Sequence, residues 1–120
     1  MLFDFTREQI SRTDVNFPEP IQLKIPDDWK IIAMLNYIAT KKYVPMQTCM
    51  VWIVLCQGKP IGFLLKDRLG KQQSISAFGN QPITTLEANE LEAVHRYYGP
   101  FEIGKQSYAD VLRRINAEWE

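Results

Sequence analysis

"CMVWIVLCQGKPIGFLLKD", residues 49–67, is the most apolar stretch of the chain and decides what kind of molecule it is. Met50 to Cys56 is too short for a membrane helix, which needs roughly 18–20 apolar residues. Gln57-Gly58-Lys59-Pro60 then interrupts it with turn chemistry. The two cysteines do not make it a metal or disulfide site. On a strand, Cys49 and Cys56 fall on opposite faces and stand about 23 Å apart. There is no CxxC, and the sole histidine is His95, so converging ligands for a metal are missing. What remains is Val, Ile and Trp on a pleated surface. The run is continuous rather than alternating, so both faces of its strands are expected to be covered.

Working outward, "IGFLLKD" forms a second strand. "RLGK" turns at Gly70, and "QQSISAFG" alternates as a third, giving an antiparallel meander. Upstream, "IQLKI" (residues 21–25) has the period of a half-buried strand and stops at Pro26. Asp28 to Lys42 reads as a helix, with acid at its start and Lys41 and Lys42 at its end. Its apolar residues cover more than one face, which makes it central to the fold or leaves part of it for a partner. Thr84-x-x-Glu87 has the capping-box pattern, and Leu91, Val94 and Tyr98 continue as a helical stripe to Gly99-Pro100. Ser107 caps a last amphipathic helix through Tyr108, Val111, Leu112, Ile115 and Trp119. The expected fold is α+β: an antiparallel β-meander sheet with three helices packed on it. The 120 residues form one domain, and residues 1–20, ending in "FPEP", read as a loosely packed N-terminal arm.

Composition narrows the function. Fourteen Lys+Arg balance fourteen Asp+Glu, so the whole-molecule basic excess of a nucleic-acid binder is missing. No basic leader with an apolar h-region opens the chain, and two unpaired cysteines suit a reducing cytosol, so a cytoplasmic location is expected. No phosphate loop, nucleophile elbow or metal motif is present, and no cofactor is implied. His95, between Val94 and Arg96, reads as an ordinary helix histidine.

Two surface features stand out. Glu87, Glu90 and Glu92 form an acidic strip, and Tyr97, Tyr98 and Phe101 cluster at the expected helix end with Arg96. Tyr and Arg are typical of binding hot spots, and an acidic strip suits a basic partner. The chain is therefore expected to be a non-enzymatic protein-binding module, an inhibitor or immunity-type partner of another protein, with a homo-oligomer as another form. With no catalytic constellation, the chain resembles bacterial immunity proteins, secretion chaperones and small adaptors by analogy of size and composition alone, and its neutral charge departs from the acidic balance often found in the first two. A second reading places a small-molecule or enzyme site between sheet and helices, using Glu or Tyr with His95. A third places single-stranded nucleic acid on Lys66, Arg68 and Lys71 at the second hairpin, with Phe63 and Phe78 nearby.

Overall fold

The apolar stretch folds as two adjoining strands inside a six-stranded sheet. A computed structural model of the chain describes residues 1–8, 20–41, 43–45, 50–66, 71–76, 81–97 and 113. The elements are β1 (Leu2–Arg7), β2 (Ile21–Lys24), α1 (Ile31–Thr40), β3 (Met50–Cys56), β4 (Lys59–Lys66), β5 (Gln72–Ser76), a 3-10 turn (Ile83–Thr85) and β6 (Glu90–Tyr97). The sheet runs β2-β1-β6-β3-β4-β5, curled into a half-barrel with α1 packed on it. Every neighbouring pair is antiparallel except β1 and β6, which run parallel.

All seven residues of β3 are buried. Met50, Trp52, Val54 and Cys56 belong to the cluster on the α1 side, with Phe3, Phe5 and Leu64. Val51, Ile53, Leu55, Phe63 and Leu65 are equally buried but stand outside that cluster. A continuous apolar strand is thus covered on both faces, as its sequence requires. Trp52 is the largest fully buried side chain, and its indole N–H donates to the Pro45 carbonyl at 2.7 Å. That bond satisfies the polar atom such burial would otherwise strand.

The helix begins later than its acidic lead predicts. Lys30 stays extended because it bridges Pro82, and Ile31 N–H donates to the Gln81 carbonyl at 2.9 Å. The segment before the 3-10 turn therefore supplies the cap that no side chain provides. Ile31, Met34, Leu35, Ile38 and Ala39 face the sheet. The surplus apolar residues of α1 form an aromatic row: Trp29 lies 5.9 Å from Tyr37, Tyr37 lies 6.3 Å from Tyr43, and Tyr43 lies 6.3 Å from Phe5. The helix is central, and its second face is half covered by its own flanks.

Two expectations are corrected. The sheet is mixed and six-stranded rather than a purely antiparallel meander, because β1 joins it. One α-helix is present among the described residues, not three. Residues 90–97, expected as a helix, form β6 between β1 and β3. Leu91 and Ala93 are buried while Glu90 and Glu92 are exposed, which is a two-residue period. Pairing on both sides overrides the helix propensity of Glu, Ala and Leu. The expected C-terminal helix lies outside the described residues except for Arg113, which is helical. Of the expected N-terminal arm, Leu2–Arg7 is β1, and residues 9–19 lie outside the described set. No described helix is long and apolar enough to cross a membrane.

The seat of α1 depends on Gly62. In the β3–β4 pairing Val54 opposes Gly62 and Leu55 opposes Pro60, so Ile61 is the extra residue of a bulge. Leu35 fills the space where a side chain at Gly62 would stand. A Cβ there would collide with Leu35 Cδ1 and lie 2.9 Å from the Ile75 carbonyl oxygen, a backbone atom held in the β4–β5 pairing. Gly62→Ala is expected to destabilise the protein by about 1–3 kcal/mol, read as a lower urea midpoint at unchanged m-value. Gly62→Val should unfold earlier still.

Candidate functional site

The polar residues of the fold gather at opposite ends of the central strands. At one end β3 turns into β4 through Gln57 (φ +53°) and Gly58 (φ +77°). Two consecutive positive φ angles make the tight hairpin turn whose twist suits antiparallel strands. Gly58 adopts this freely, whereas Gln57 is the only described non-glycine residue with positive φ.

Clefts flank this tip, and Gln57 lines two of them. The first, about 460 Å³, lies between the tip and the 3-10 turn and is lined by Cys56, Lys59, Ile61, Gln81, Leu86 and Glu87, among others. The second, about 360 Å³, lies over the ends of β1 and β6 and contains Asp4, Glu90 and Glu92, with Leu55 and Leu91. No basic residue is among its described lining. The register makes this acidity structural: Asp4 pairs directly with Glu90, and Thr6 with Glu92. Like charges placed opposite each other on adjoining strands destabilise the pairing. None of the three carboxylates forms an ion pair among the described residues.

Cys56 closes the floor of the first cleft. Its thiol donates to the Ala88 carbonyl at 3.4 Å. Burial pushes its pKa up, the Ala88 backbone partly opposes this, and the Glu87 carboxylate adds to the rise. The thiol form is favoured at neutral pH, which makes Cys56 a poor nucleophile.

At the far end of β6, His95 faces Trp52 across the strand pairing, their rings 5.2 Å apart. Its Nδ1 lies 2.7 Å from Glu8 Oε1, and its backbone N–H donates to the same oxygen at 2.5 Å. Arg7 donates to the Glu8 carbonyl at 3.3 Å, and its guanidinium stands 6.0 Å from the Trp52 ring. Glu8 thereby fastens the end of β1 to β6. This makes His95 a half-buried strand residue, not a helix histidine.

The residues of the expected acidic strip fall in two places. Glu90 and Glu92 share a cleft on one face of β6, while Glu87 lies on the other side of the hairpin tip, in the first cleft. Tyr97 ends β6, and Tyr98 and Phe101 lie outside the described residues. Lys66 ends β4 half-buried, Lys71 precedes β5 exposed, and Arg68 and Phe78 lie outside the described set. Phe63, the described aromatic of the nucleic-acid reading, is 1% exposed and buried in the sheet. Of the groups in the small-molecule reading, His95 stands by Trp52 and Glu8, and Glu87, Glu90 and Glu92 line the clefts at the hairpin end. Sequence reasoning passed over Asp4, Glu8, Gln57 and Lys59. The alternation of "LFDFTR" was a usable signal for Asp4. The pairing of Glu8 with His95, 87 positions away, had no local signal. No family model matches the chain, and comparison with curated proteins and with solved structures returned no match.

Two measurements check this geometry. Gln57→Asn, which tolerates the left-handed region better, should raise stability by about 0.5 kcal/mol in urea unfolding. In a Cys49→Ser background Cys56 is the sole thiol, and it should react with a thiol reagent at least about tenfold more slowly in the native protein than in the unfolded chain.

Proposed function

We propose that the chain is a non-enzymatic protein-binding module of the inhibitor or immunity type, docking a basic segment of another protein at the acidic end of β1 and β6. The observation that carries this reading is the register of Asp4 against Glu90, with Glu92 two residues on. In the free protein this arrangement repels itself. A Lys or Arg side chain laid between the carboxylates would reverse the sign of that interaction. Gln57 supports the same surface. A residue held at positive φ costs about 1 kcal/mol relative to its relaxed conformation, and it borders the acidic cleft. Such local costs gather where a surface serves recognition. Leu55 and Leu91 give the cleft an apolar base, so a partner side chain gains burial as well as charge. The reading needs no catalytic group, cofactor or metal, and its natural location is the cytoplasm.

The test is affinity purification of the tagged chain from its native host, beside the double variant Glu90→Lys/Glu92→Lys. The wild type should retain one stoichiometric protein, and the variant should lose it by at least about tenfold, with retention falling as salt rises. A wild-type monomer carrying nothing, or a variant that retains the same protein equally well, overturns the proposal. Glu90→Gln should separately raise stability by a few tenths of a kcal/mol, since it removes the like-charge pairing. Equilibrium unfolding at low salt reads that effect.

A further inference from the structure

We propose that the cleft between the hairpin tip and the 3-10 turn binds a small zwitterion with an apolar body, of amino-acid to dipeptide size, its carboxylate on Lys59 and its ammonium on Glu87. The cleft holds about 460 Å³, a volume within the ordinary range of ligand sites. Its base is apolar: Ile61 is 2% exposed, Cys56 is 6% exposed, and Leu86 packs on the core from the rim. Among the described residues the charged groups on its walls are Lys59 and Glu87, of opposite sign, and neither forms an ion pair within that set. The other hydrogen-bonding groups nearby are partly committed. The Thr85 hydroxyl donates to the Pro82 carbonyl at 2.7 Å, and the Cys56 thiol donates to Ala88.

The two charges select the ligand class. A simple carboxylate would gain Lys59 and meet repulsion from Glu87. A simple amine would meet the reverse. A neutral apolar molecule would take water from both charges without replacing it. A zwitterion satisfies both, and its apolar body covers Ile61 and Leu86. This inference stands apart from the protein-binding reading, since it uses neither Glu90 nor Glu92.

The experiment is a ¹H–¹⁵N NMR titration of the full chain with L-leucine and with leucyl-leucine to about 10 mM, in the affinity range of small, open sites. N-acetyl-leucine and leucinamide, each lacking one charge, are the controls. Saturable shifts are expected at residues 56–61 and 81–87, with each blocked compound binding at least about tenfold more weakly. Lys59→Met and Glu87→Gln alter exposed side chains, so the fold should persist, checked by the unchanged remainder of the spectrum. Each should weaken binding by a similar factor. Absence of saturable shifts with either zwitterion overturns the proposal. Equal binding of the blocked compounds, or unchanged binding by both variants, overturns it as well.

Discussion

The structure depends on the burial of β3 from both sides. A strand with seven buried residues cannot lie at a sheet edge, so it must be paired along both of its borders and covered on both faces. Pairing with β4 follows from the two-residue turn. Pairing on the other border requires a second strand, and β6 returns from more than thirty residues away to supply it. β6 then brings β1 into the sheet in parallel, with β2 at its edge. The helix is seated by the same centre. The bulge at Ile61 bends β4, and the bare backbone of Gly62 lets Leu35 approach. The bulge and the seat of α1 thus fall on two adjoining residues.

This logic separates what was legible in the sequence from what was not. The hairpin of β3 and β4 was readable because apolar runs, turn residues and connection length all agree locally. The same holds for β2, where alternation is bounded by prolines. The strand β6 reads as a helix in sequence because "ELEAVHRYY" (residues 90–98) carries two periods at once. Leu91, Val94 and Tyr98 fit a helix, while Leu91, Ala93 and His95 fit a strand. Glu and Ala favour the helix intrinsically, and only the empty border of β3 decides for the strand. β1 shows the converse. Phe3 and Phe5 alternate with Asp4 and Thr6, but a six-residue strand at a chain start has little to mark it until its partners are known. The acidic site inherits both difficulties. Glu90 and Glu92 were visible as a charged strip, yet their real neighbour is Asp4, 86 positions upstream, placed there by a parallel register that no local pattern encodes.

The two ends of the central strands use charge differently, and the contrast bears on function. At the His95 end, Glu8 accepts from the backbone and lies against the imidazole, Arg7 bonds the Glu8 carbonyl, and Trp52 bonds Pro45. These contacts close β1 onto β6. Removing any one of them would strand another, as expected of groups that serve structure.

At the hairpin end the arrangement is the opposite. Asp4 faces Glu90 across a strand pairing, Lys59 and Glu87 border one cleft without pairing, and a glutamine occupies a backbone conformation suited to glycine or asparagine. Two of these features have a simple substitution that would relieve them. Gln57→Asn relaxes the turn, and a neutral residue at Glu90 removes the repulsion. Strand pairing does not require them, since the ladder runs through backbone atoms. Strand pairing has no need of unmatched charge beside a cleft, and a molecule bringing the opposite sign would complement it. The physical asymmetry between the two ends is therefore the ground for proposing recognition at the Gln57 end, whereas the Glu8–His95 end ties β1 to β6.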